Sequence, residues 1–181
     1  MKRIQVLCLS GSLRKISYNT AVLHAMSRLV PAHMDIMIFD GMGELPLFNP
    51  DRDEEYIIEV AALRDAVKRS DGLIIASPEY AHGITGVMKN ALDWLVSDMN
   101  FPELPVAFIN TSPRAIHAQA ALREVLTTMS ANIIEDACVA VPLLGSDLDE
   151  AGIVKHPEIS ELLIQAMKKF HEAIVMRREA R

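Results

Sequence analysis

Ile4–Leu9, Met34–Phe39, Gly72–Ser77, Val106–Thr111 and Ile133–Val141 form five short β-rich runs, and all but the second are nearly continuous apolar stretches rather than alternating ones. Runs of that kind suit strands covered on both faces, the condition of a parallel sheet enclosed by helices. The segments between them carry a helical period. Val22, Met26 and Leu29 share one face, Ile58, Ala61, Ala62, Asp65 and Val67 make a weaker one, and Val87, Ala91, Leu92 and Leu95 form a third. Further stripes run through Ala118, Leu122, Val125, Leu126 and Met129, and through Ile159, Leu162, Leu163, Ala166, Met167, Phe170 and Ile174. Strand and helix alternating along the chain predict a doubly wound α/β fold with right-handed crossovers.

A chain of 181 residues is one domain's worth, long enough to bury a core without staples, so 1–181 is expected to be a single domain. The net charge of −6 and the lack of a long basic run argue against a nucleic-acid partner. "MKRIQVLCL" has the charge of a signal peptide, but its apolar part is short and polar residues follow at once. Nor does any apolar run approach the roughly 18 residues of a membrane span. A cytoplasmic protein is expected, and Cys8 and Cys138, both in apolar runs, are expected to stay reduced.

Two connections are long. "DGMGELPLFNPDRDEE", residues 40–55, could be a lid or an interface, or could cover an edge with Leu45, Leu47 and Phe48. "DLDEAGIVKHPE", residues 147–158, imitates a calcium loop through Asp147, Asp149, Gly152 and Glu158. Ala151 and Lys155 occupy ligand positions, however, and a strand precedes it, so the pattern reads as an acidic turn with Glu158 in the first turn of the last helix.

Ligands of such a sheet bind beyond the carboxyl ends of the strands, which singles out "SGSLRKISYNT", "SPEYAHGITG" and "NTSPRAIHA". The first joins a strand to a helix whose N-terminus offers unpaired N–H groups, and it adds Ser10, Ser12, Ser17, Asn19 and Arg14 as donors. It is neither a Walker loop nor a dinucleotide fingerprint, since Gly11 has no companion glycines. A terminal phosphate monoester suits hydroxyl donors, so a mononucleotide is indicated. Asn19 or Thr20 would cap the helix, but one cap explains only one of these residues. In the second loop Pro78 fixes the backbone, Gly83 and Gly86 permit close approach, and Tyr80 offers an aromatic face to a planar ring. Trp94 reads as core and Lys89 as solvated. The histidines lack metal-ligand spacing, and "LSGSL" lacks a nucleophile-elbow pattern, so no metal site or hydrolytic machinery is expected.

"GSLRKISYN" together with "SPEYAHGITGVMKNALDWL" closely resembles the NADPH-dependent FMN reductase family, the flavodoxin-like group that includes chromate, quinone and azo-dye reductases. The likeness runs from the first strand through "INTSP". It implies a flavodoxin-like five-stranded parallel sheet, order 2-1-3-4-5, with helices on both faces. It also implies FMN, its phosphate at Ser12, Arg14, Ser17, Tyr18 and Asn19, and its isoalloxazine flanked by Pro78, Glu79, Tyr80, Ala81 and His82, with Ser112 at the ring's other edge. Ala81 departs from the asparagine of many relatives, and Pro113–Ala121 replaces a glycine-rich continuation, which bears on acceptor choice or on the subunit contact.

The resemblance implies hydride transfer from NADPH or NADH to flavin N5 and then to a small acceptor such as a quinone, azo compound, chromate or free flavin. No catalytic side chain is then required, because the cofactor carries the chemistry. Tyr80, Ala81 and His82 would line the acceptor side, although His82 reads first as an exposed, chemically idle loop histidine. Relatives are oligomers, so a homodimer or homotetramer is expected. A flavin-binding electron carrier or redox sensor is the rival reading, and Tyr80 as the one aromatic beside the ring favours the open face of a reductase. A nucleotide-binding transferase without flavin would leave the second motif unexplained.

Overall fold

A computed structural model describes residues 3–52 and 57–179. Four long strands, β1 (Ile4–Ser10), β2 (Met34–Ile38), β3 (Gly72–Ala76) and β6 (Pro105–Asn110), pair in parallel in the order β2-β1-β3-β6. The fifth position is held by two two-residue strands, β7 (Asn132–Ile133) and β8 (Val139–Ala140), both parallel to β6. The order is the expected 2-1-3-4-5.

Alternate residues of β1, β3 and β6 feed two cores. Leu7, Leu9, Leu73, Ile75, Val106 and Phe108 face α2 (Ile58–Lys68), α3 (Gly86–Leu95) and α4 (Ile116–Thr128). Val6, Cys8, Ile74, Ala76, Ala107 and Ile109 face α1 (Tyr18–Leu29), α5 (Glu150–Lys155) and α6 (Pro157–Glu179). Burial on both faces is why the strands read as continuous apolar runs. Gly72 sets the packing of α6: a Cβ there would stand 2.8 Å from Phe170 Cζ and 2.9 Å from Ile174 Cδ1.

Three expectations are corrected. The last run is not one strand: a 3₁₀ turn at Glu135–Ala137 splits it, and Arg123 of α4 pairs with Glu135 there. An edge strand has one bonded neighbour, so an acidic pair inside it can turn outward without breaking the sheet. The buried face of α2 is Val60, Leu63, Ala66 and Val67, while Ile58 is 81% exposed. The alanines permit either phase, and the bulkier Val60 and Leu63 decide it, with Ile57 buried just before the helix. The acidic stretch after Asp147 contains a short helix, α5, whose first turn Asp149 caps by accepting from the Gly152 amide at 2.8 Å. Glu158 lies in the first turn of α6, as expected.

Trp94 is core, and its ring N–H donates to the Pro46 carbonyl at 2.8 Å. Lys89 pairs with Asp93 at the surface. The described part of the first long connection folds onto α3: Leu45 is buried, Phe48 meets Trp94 edge-on at 5.0 Å, and Leu47 points to solvent. Residues 53–55 of that connection lie outside the described residues. Cys8 and Cys138 are free, separated by the strands between β1 and β8. No helix among the described residues is long and apolar enough to cross a membrane.

Candidate functional site

Beyond the carboxyl ends of β1, β3 and β6 lies a cleft of about 390 Å³, within the size range of small-ligand sites. Ser12, Arg14, Ser17, Tyr18 and Asn19 line one part of it, and Pro78, Glu79, Tyr80 and Ser112 line the rest. Nine of the eleven expected residues therefore meet in one place. Ala81 and His82 do not line it: they form the tip of a hairpin between β4 (Glu79–Tyr80) and β5 (Gly83–Ile84).

The first loop is held open by its own hydroxyls. Ser10 Oγ accepts from the Ser12 amide at 3.3 Å and lies 2.9 Å from Thr20 Oγ1, and Ser12 Oγ accepts from the Arg14 amide at 3.4 Å. Ser17, rather than Asn19 or Thr20, caps α1 by accepting from the Thr20 amide. Asn19 is buried, and its Oδ1 accepts from Thr111 Oγ1 at 3.1 Å, which ties α1 to the end of β6. Tyr18 is braced by its hydroxyl, which accepts from the Asp147 amide at 3.3 Å. No acidic residue stands in the first turn of α1, so its positive end is uncompensated.

Glycine is needed at position 11 by contact rather than by torsion, since a Cβ there would fall 2.2 Å from Ser77 Oγ. The Gly11 amide donates to the Ala76 carbonyl, and its own carbonyl accepts from Thr85 Oγ1, both at 2.8 Å. Thr85 also caps α3 through the Met88 amide, so one buried side chain joins the first loop to the second.

Glu79 is 13% exposed, and its Oε2 accepts from the Ala118 amide of α4 at 2.8 Å. Oε1 lies 3.2 Å from His82 Nδ1. The Ala118 amide, chiefly, holds the carboxyl below its ordinary range, assisted by His82 and His117 against the cost of burial. His82 and His117 meet edge to face at 4.5 Å, outside the cleft. Ala81 and His82 adopt φ of 49° and 58°, the left-handed pair that a two-residue hairpin turn demands.

Ser77, Asn110, Thr111, Arg114, Ala115, Ile16 and Leu144 also line the cleft, beyond the expected set. Ser77, Asn110 and Thr111 carried a signal: each is a polar residue ending a buried apolar run. Leu144 carried none, because it arrives from the far end of the chain after β8.

The donor set separates into two kinds. Hydroxyls, a guanidinium and a helix N-terminus gather after β1, while Pro78, Tyr80, Ala115 and Leu144 give the remainder an apolar wall. That division fits a phosphorylated ligand with a planar ring.

The NADPH-dependent FMN reductase family model matches residues 4–144. A quinone reductase of Escherichia coli is 32% identical over 143 residues, 74% of each chain. An NAD(P)H-dependent FMN reductase of Pseudomonas aeruginosa is 32% identical over 174 residues, covering 91% of this chain and 92% of its own. The solved structure of FerB, a flavoenzyme NAD(P)H:(acceptor) oxidoreductase from Paracoccus denitrificans, superposes with a TM-score of 0.83 at 26% identity, over 96% of this chain and 98% of that one. The chain belongs to the NADPH-dependent FMN reductase family, as an enzyme whose cofactor is FMN and whose reductant is NAD(P)H.

Proposed function

We infer that the protein uses NAD(P)H to reduce small quinones through FMN held in the cleft between β1, β3 and β6. The observation that carries this reading is the cleft's division into a phosphate-type donor cluster and a ring-type wall. Bound FMN would supply the redox chemistry, taking a hydride from the nicotinamide and giving two electrons, with a proton, to the acceptor. The chain's own task is to seat it. Ser12, Arg14, Ser17, Tyr18 and Asn19 would hold the phosphate, with the α1 N-terminus adding to the field. Pro78, Glu79, Tyr80 and Ser112 would flank the ring, and Tyr80, half exposed, would leave one face open to exchanging ligands.

Quinone is preferred among the acceptors because the E. coli relative is a quinone reductase. A cytoplasmic homo-oligomer is the accompanying proposal, and its self-association is supported by Leu47, Val96 and Met99, large apolar side chains left 83%, 64% and 89% exposed. The test is anaerobic: the purified protein should be yellow, bleach with NAD(P)H, and recover its colour with a stoichiometric quinone. A colourless protein, or one that bleaches and never passes electrons to any quinone, would rule the reading out.

A further inference from the structure

The cleft carries one cation more than a single phosphate needs. Arg14 belongs to the loop after β1, among the hydroxyls, whereas Arg114 belongs to the loop after β6. β3 lies between those strands, which separates the roots of the two loops by two sheet spacings, about 10 Å. The loop that carries Pro78 and Tyr80 leaves from that middle strand. A phosphate seated at the α1 N-terminus thus has its own guanidinium, and the second one stands on the ring side of the site.

The backbone of Arg114 is fixed while its side chain is free. Its amide donates to Ser112 Oγ at 3.3 Å, the Ser112 amide donates to Asn110 Oδ1 at 3.0 Å, and Ala115 beside it is buried. The Arg114 guanidinium is exposed and has no hydrogen-bond or ion-pair partner among the described residues, in contrast to Arg3, Arg28, Arg69, Arg123 and Arg178, which all pair with carboxylates. Glu79 is the one carboxylate among the described residues lining the cleft, and both its oxygens are engaged, with the Ala118 amide and with His82. In a protein of net charge −6, an anionic ligand approaches against the overall field. An unpaired guanidinium at the mouth offsets that locally and offers a two-pronged donor to an anionic oxygen group.

We propose that Arg114 selects ligands bearing an anionic oxygen group at the exchange side of the cleft. The group is either the 2′-phosphate that distinguishes NADPH from NADH or a sulfonate or carboxylate on the acceptor. This rests on the cleft being the flavin site proposed above, with FMN's own phosphate already taken by the Arg14 loop.

The test compares the wild type with Arg114→Ala, Arg114→Gln and Arg114→Glu. 1,4-Naphthoquinone is set against its 2-sulfonate as acceptor, and NADPH against NADH in the reductive half-reaction. The preference for the sulfonate over the neutral quinone, or for NADPH over NADH, should fall about tenfold in Arg114→Ala and further in Arg114→Glu, and the difference between variants should shrink in high salt. A fall confined to the first ratio identifies an anionic acceptor, and one confined to the second identifies the dinucleotide phosphate. Calorimetric binding of the sulfonate and the neutral quinone reads the same residue without turnover, so failure of the reductase reading is seen separately, as binding without electron transfer. Ratios that stay the same in all three variants, in both arms, would overturn the proposal.

Discussion

The carboxylate of Glu79 accepts the amide of Ala118 across 39 positions of sequence, and so caps a helix whose own N-cap residue, Ala115, has no side chain to do it. One wall of the cleft is thereby fastened to another, since Glu79 ends the loop after β3 and α4 follows the loop after β6. A carboxyl whose folded pKa lies below its unfolded value contributes stability that is present above the unfolded pKa and fades as pH falls through the folded one. The Glu79 carboxyl is shifted in that direction. Glu79→Gln keeps an acceptor but not the charge, so its stability deficit against the wild type should be largest near neutral pH and shrink as the solution is acidified. Thermal unfolding of both proteins over a pH series checks this, and a deficit that is constant with pH would exclude the charge as the cause.

The hairpin tip predicts a gain of stability. Ala81 sits at φ 49°, in a region that costs a residue with a Cβ about 1 to 2 kcal/mol and glycine almost nothing. Ala81→Gly should therefore stabilise the protein by about 1 kcal/mol, less the added chain entropy of glycine. Ala81→Asn should recover part of that gain. Denaturant midpoints measure both, and a loss of stability in Ala81→Gly would contradict the turn geometry.

The thiols should differ in reactivity. Burial pushes both thiols up, Cys8 far more strongly because it is fully enclosed, while Cys138 is partly accessible. Since the thiolate is the reacting form, an alkylating reagent near pH 8 should leave Cys8 untouched in the native protein and modify Cys138 slowly. Both should react once the chain is unfolded without reductant. Fast native labelling of Cys8, read by mass spectrometry of peptides, would contradict its place in the core.

What could be read from the sequence follows from how many neighbours a segment has. β1 and β3 lie between two strands and two helical layers, so Val6, Leu7, Cys8 and Leu9 all had to be apolar and the run was plain. Among the described residues Ile133–Val141 has β6 on one side alone, and its break at Glu135 left only two charged letters in an apolar stretch. The phase of α2 was ambiguous because Ala61, Ala62 and Ala66 fit either face. Within the site, Ser12, Arg14, Ser17 and Asn19 were legible as an excess of donors at a strand-to-helix joint. The links that assemble the cleft were not: Glu79 to Ala118, Thr85 to Gly11 and Asn19 to Thr111 join positions 39, 74 and 92 apart, and no local pattern records such partners.

The donor cluster after β1 is the centre of the functional account, and the affinity of the Arg14→Ala variant for FMN and for riboflavin tests it most directly. Arg14 lines the cleft, its guanidinium without a hydrogen-bond or ion-pair partner among the described residues, and a charge-assisted contact to phosphate is worth about 1.5 to 3 kcal/mol, or roughly ten- to 150-fold in affinity. FMN binding, followed by quenching of flavin fluorescence, should weaken by that factor. Riboflavin has the same ring and no phosphate, so its weaker binding should be nearly unchanged. Equal losses for FMN and riboflavin would mean that Arg14 supports the fold or the ring pocket, and would contradict a phosphate cradle between β1 and α1.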